Sequence, residues 1–242
     1  MMGRALAAQL RVELLLASRR GEALLVTLAV PPVLLVFFAS VSLLPTGGET
    51  PVEFLLPGMI ALAVIGAAMV SLGIGTAYER HYGVLKRLGA LPGARVTLVA
   101  AKTLAVLIVE VIQVAILIGI AMALGWSPRG DPLVVASALV LGTAAFAGIG
   151  LLMAGTLRAE LTLALANALF LGFLLVGGIV TPTTSLPGGL GEVARWLPAA
   201  ALSEALRSGL TTPSAGSPAF IVLAVWAGGA SIAAALAFRV EE

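Results

Sequence analysis

The sequence predicts an all-α membrane protein with six transmembrane helices. Added to these are an N-terminal amphipathic interfacial helix, a short charged cytoplasmic helix and a re-entrant extracellular helical hairpin before the last span. Three observations predict this. Of the 242 residues, 60% are hydrophobic and only 11% charged, whereas a soluble domain carries about 25% charged residues. Six stretches supply the roughly 20 largely uncharged residues that a helix needs to cross hydrocarbon. The basic residues are also segregated: eleven of the fourteen Lys and Arg fall on one side of those stretches, which places that side, with both termini, in the cytoplasm.

Residues 3–20 come first in the chain. Leu6, Leu10 and Leu14 recur one turn apart while Arg4, Arg11 and Ser18 take another face, the pattern of a helix lying along the inner surface with its arginines toward anionic headgroups. Ser18-Arg19-Arg20 resembles a twin-arginine signal, but the apolar run after it is too long for a signal core and no small-residue cleavage site follows. The spans are residues 23–44, 54–77, 99–124, 132–157, 161–180 and 218–238. Ala, Leu, Val and Ile surround each one, so lipid or apolar neighbours must do the same. Pro31 and Pro32 are expected to kink the first span or mark its entry turn. Interior glycines, among them Gly66, Gly73, Gly75, Gly142, Gly148 and Gly150, let helices approach closely in lipid; Gly172, Gly177 and Gly178 give the fifth span the same capacity.

Residues 181–212 are too polar to span and too apolar for a free loop. Leu190, Val193, Ala194 and Leu197, then Leu202 and Leu206, predict two short helices split by Pro198. Glu192/Arg195 and Glu204/Arg207 form i, i+3 pairs on their polar sides, and Trp196 suits an interfacial anchor. The expected arrangement is a hairpin dipping partway into the outer leaflet where protein or water covers its backbone ends.

Between the second and third spans, charged residues alternate with Val84, Leu85 and Leu88 at helical spacing, and Pro92-Gly93 stops the helix. Such a segment, over residues 79–90, suits a groove on a soluble partner; it equally suits an ordinary basic cytoplasmic loop. Glu79-Arg80-x-x-Gly83-x-Leu85-x-Arg87-Leu88-x-x-x-Pro92 resembles the coupling helix of ABC-2 (type-2 exporter) ABC transporter permeases. Pro182-x-x-x-Leu186-Pro187, then Leu197-Pro198 and Ala205-Leu206-Arg207, resembles the extracellular re-entrant helices of the same family. With the N-terminal helix, six spans and in/in topology, the resemblance covers residues 1–242 as one transmembrane domain. It is closest to the small drug-exporter permeases of the daunorubicin-resistance kind, since no large outer domain is inserted.

The resemblance implies a permease that exports an amphipathic small molecule, drug or lipid-like substrate through a bacterial or archaeal cell membrane. The implied partners are a separate ATP-binding subunit and a second permease copy, as homodimer or heterodimer, with dimer contacts near spans one and five. Val84, Leu85 and Leu88 would pack into the ATPase groove, with Glu79, Arg80, Lys86 and Arg87 in polar contacts around them. Pro187, Trp196, Pro198 and Arg207 would belong to the re-entrant segment. ATP and Mg would be bound by the partner. Independently, a phosphate-cradling loop ends in Gly-Lys-Ser/Thr, yet the only lysines, Lys86 and Lys102, follow Leu85 and Ala101.

Glu110 is the one acidic residue deep in a span, with Gln113 a turn on. A charge there costs at least about 2.5–3.5 kcal/mol, so it faces a translocation path or is a protonated carboxyl hydrogen-bonded within the bundle. Asn167 and Thr162 pose the same question. No catalytic or metal site is predicted: His81 is the only histidine and cysteine is absent, which removes His-Glu-x-x-His and thiolate chemistry. No nucleic-acid partner is expected. A secondary transporter or channel without an ATPase is the alternative, but such proteins show internal repeats and several buried ionisable groups, and neither is evident here.

Overall fold

In a computed structural model of the chain, residues 2–19, 21–41, 50–85, 94–211 and 217–238 are described. The predicted coupling residues Lys86, Arg87 and Leu88, the end of the first predicted span (42–44) and residue 212 lie outside the described residues. Every regular element among the described residues is helical. Helix α1 spans Met2–Arg19 and α2 Gly21–Val41; α3 covers Pro51–Val64 and runs through a π-helical turn, Ile65–Ser71, into α4, Leu72–His81. Then come α5 (Ala94–Ala123), α6 (Pro132–Thr156) and α7 (Ala159–Val176). A 3-10 turn at Thr183–Ser185 leads to α8 (Leu190–Ala194), α9 (Pro198–Leu210) and α10 (Pro218–Ala237).

Five of these helices are long and apolar enough to cross a membrane: Pro51–His81, Thr97–Ala123, Pro132–Thr156, Ala159–Val176 and Pro218–Ala237. Helix α2 carries Pro31 and Pro32 in its interior, and within it Leu28–Val41 forms a shorter apolar helix. The chain is thus a multi-pass, all-helical membrane protein. Three of its helices open with a polar cap followed by proline. Thr50 and Glu53 make a reciprocal capping box ahead of Pro51, Asp131 accepts from the Leu133 amide ahead of Pro132, and Ser217 caps α10 ahead of Pro218. Each cap satisfies an amide that lipid could not, and the proline loses no bond at the first helical position.

The pillar of the fold is α3–α4. In its most apolar stretch 83% of residues are buried, against 22% for α7 and for α10, so the latter two keep broad faces for lipid or another chain. Lipid tails are as apolar as leucine and give helices no hydrophobic reason to associate; close packing must do it. The crossing of α4 and α6 shows how. A Cβ on Gly73 would lie 3.0 Å from the Gly150 backbone, and one on Gly150 would lie 2.8 Å from the Met69 carbonyl oxygen. Helix α6 packs in turn against α9 and α10, and Phe146 meets Phe173 of α7 edge-on at 5.7 Å.

Spans two, three and five start two to five residues earlier than expected, at Pro51, Ala94 and Ala159, and two helix ends differ in ways that bear on the site. The second span extends to His81, so Glu79 and Arg80 close a membrane helix rather than open a separate cytoplasmic one. Span five stops at Val176 instead of Val180, because Gly178 takes φ 68°, a left-handed conformation that ends helices. Gly172, expected in a helix contact, has nothing near its α-carbon side within this chain.

Candidate coupling node and opposite cavity

The last turn of α4 is fixed from two sides. Lys102 of α5 places its Nζ 2.8 Å from Glu79 Oε2 and 3.1 Å from Glu13 Oε2 of α1. Gln9 also donates to Glu13, at 3.2 Å. Lys102 is only 5% exposed. Next to Glu79, the Arg80 guanidinium donates to the Leu157 carbonyl, at the end of α6, and Arg80 too is 5% exposed. One ammonium therefore serves two carboxylates, and one guanidinium caps the carbonyl end of another span. Buried charges persist only when paired in this way.

Beyond this turn the helix breaks. The Gly83 amide bonds the Arg80 carbonyl at 2.9 Å, and Gly83 takes φ 70°, which a side chain would oppose. His81 and Tyr82 are exposed, with Tyr82 stacked on Tyr78 at 6.2 Å. Of the residues assigned to an ATPase groove, Val84 is 39% exposed while Leu85 is 3% exposed, buried in its own chain. Glu79 and Arg80 are likewise engaged internally. Sequence reasoning missed the partner that makes this a node: Lys102 is a charge inside an apolar run, and a buried charge demands a counter-ion.

In the membrane core, Glu110 is 1% exposed. The Thr143 hydroxyl of α6 lies 2.5 Å from its Oε2 and 2.7 Å from the Leu139 carbonyl. A hydroxyl has one proton to give, so the Glu110 carboxyl group and the Leu139 carbonyl share the Thr143 hydroxyl as their donor. Gln113 is buried one turn away. Asn167 does not join them. It is exposed on α7 and donates to its own helix, at the Leu163 carbonyl, 2.8 Å away. Thr162 is buried and donates to the Met153 carbonyl at 3.3 Å.

At the opposite end, α9 is wedged among α3, α6 and α10. Pro198 opens it and is buried, and the helix is buried along nearly its whole length. Arg207 ties it to α3: its guanidinium sits 4.3 Å over the Phe54 ring and donates to the Phe54 carbonyl at 3.1 Å. Glu204 lies 3.8 Å from Arg207, and Arg195 pairs with Glu192. Trp226 of α10 donates to the carbonyl of exposed Trp196 at 2.8 Å. Pro187 is exposed in the connection before α8, its carbonyl accepting from Leu190. These residues leave a cavity of about 850 Å³ between the segment 182–207, Phe54 and the start of α10. Among the described residues, no group of His, Cys, Asp and Glu could hold a metal ion.

The chain matches a family model described as ABC-2 type transporter over residues 4–211. A comparison with curated proteins gives no match.

Proposed function

The chain belongs to the ABC-2 type transporter family, and from that membership we propose that it is the membrane-spanning half of an ATP-driven exporter. In this reading α2 is a sixth span and both termini are cytoplasmic in a bacterial or archaeal cell membrane. The permease pairs with a second permease copy. A separate subunit binds ATP and Mg and supplies the hydrolysis. The cargo is an amphipathic small molecule, drug or lipid-like compound.

The observation that carries the proposal is the family match over most of the chain. The node at α4 supports it by giving the stroke a route. Force applied at residues 84–88 reaches α4 across one turn, then passes to α5 and α1 through Lys102 and to α6 through Arg80. The external contact falls to Val84 and, beyond it, Lys86, Arg87 and Leu88, while Glu79, Arg80 and Leu85 hold the socket in place. The segment 181–212 acts as the re-entrant outer gate, braced by Arg207 on Phe54.

Co-purification tests this. The variant Val84→Asp with Arg87→Glu is expected to insert and migrate as wild type in detergent, yet fail to retain the ATP-binding subunit encoded with it. Normal retention would remove this segment from the docking surface. Failure of the wild-type chain to capture any ATP-binding subunit would remove the exporter reading itself.

A further inference from the structure

The cavity beside α9 has a mixed lining: aromatic Phe54 and Trp196 lie among Arg195, Ser203, Glu204 and Arg207, with the Arg207 guanidinium over the Phe54 ring. Ser203 is the informative residue. It is 2% exposed and its Oγ has no hydrogen-bond partner, although a helical serine ordinarily bonds back to its own helix, as Ser208 does to the Ala205 carbonyl at 2.8 Å. A buried hydroxyl without a partner is costly and calls for one. The volume, about 850 Å³, lies within the range of small-molecule sites, which combine apolar walls with a few convergent polar groups.

The charges narrow the ligand. Two guanidinium groups and one carboxylate line the cavity, and Glu192, outside the lining, pairs with exposed Arg195; a ligand that takes over Arg195 from Glu192 is matched by one negative charge rather than two. Guanidinium groups match the planar spread of phosphate oxygens. We infer that this cavity binds the phosphodiester head of an amphipathic molecule, with Arg195, Arg207 and the Ser203 hydroxyl on the phosphate and the apolar chain along Phe54 and Trp196. This deepens the exporter reading, on which it rests for the cavity's outward position, by naming a cargo class at the outer end.

The test needs no ATP-binding subunit, so its outcome is separable from that reading. Binding of radiolabelled dihexanoyl phosphatidylglycerol to the full chain in a neutral maltoside detergent is measured by equilibrium dialysis. Saturable binding, unaffected by excess detergent, is expected. Arg195→Gln, at an exposed side chain, should weaken it about tenfold, the scale of one lost charge-assisted bond. Ser203→Ala should weaken it severalfold while unfolding no earlier than wild type, since it deletes only a hydroxyl with no partner. Wild-type affinity in both variants would overturn the assignment. Displacement by detergent would reduce the cavity to an apolar groove, and displacement by equimolar inorganic phosphate would make it a free-anion site; either overturns the amphipathic phosphodiester.

Discussion

Lys102 decides more at the residue scale than its bulk suggests. Its ammonium separates Glu13 from Glu79, so replacing it with methionine leaves two part-buried carboxylates facing each other. A loss on the order of 3–5 kcal/mol follows from stranding a buried ion pair, measurable as an earlier unfolding midpoint in detergent. The triple variant Lys102→Met, Glu13→Gln, Glu79→Gln should recover most of that loss, because no unpaired charge remains. A second residue-scale prediction concerns Thr143. Its change to valine strands the Glu110 carboxyl and should cost about 1–3 kcal/mol, whereas adding Glu110→Leu should restore stability, leaving apolar atoms on both helices. A double-mutant cycle on thermal unfolding reads the coupling directly. Glu110 was visible in the sequence as an oddity; Thr143 was not, because a threonine 33 positions away carries no signal of being its partner.

Among the elements, the π-helical turn Ile65–Ser71 interrupts the most deeply buried helix of the fold. Such turns widen a helix locally and recur at functional sites. Deleting Ala67 should restore α-helical geometry without removing either flanking helix. If the chain is the proposed exporter subunit, the expected result is normal insertion and capture of its ATP-binding partner, with cargo-stimulated ATP hydrolysis reduced by roughly 0.5–2 kcal/mol of coupling. Unchanged stimulation would make the turn a packing detail. Element existence was largely legible: the apolar runs marked the five spanning helices, and Thr50-Pro51, Asp131-Pro132 and Ser217-Pro218 carry their start signals in plain view. The ends were less legible. Glu79 and Arg80 look like loop residues by polarity, and only a counter-ion on α5 and a carbonyl on α6 explain why the helix keeps them. Glycines misled in the same way. Gly178 ends α7 by its backbone angle rather than serving a helix contact, and periodicity cannot separate those two uses. The π turn left no mark at all, since its residues are as apolar as those around it.

For the whole molecule, the pale burial of α7 sets the question of what covers it. Leu163, Leu165, Leu171 and Leu175 are exposed there, and Gly172 has open space beside it. If a second permease copy covers this face, Gly172→Cys should form a disulfide-linked dimer under oxidant in native membranes, read on a non-reducing gel. The chain contains no cysteine, so the background is clean. Monomer at Gly172→Cys alongside dimer at Phe37→Cys would move the contact to α2. The contact between Gly73 and Gly150 bears on how such an assembly could work. At that point the two helices meet backbone to backbone and no side chain interlocks, while Ala77 and Ala154 pack beside it and Arg80 holds the end of α6. In the proposed exporter, a push arriving at α4 would travel past α6 as shear, in small steps along the crossing, while the capped and proline-started helices keep their shape. In the proposed transport cycle this joint would act as a bearing: tight enough to hold the bundle together in lipid, with its small movements guided along the crossing and limited by Arg80 at the end of α6.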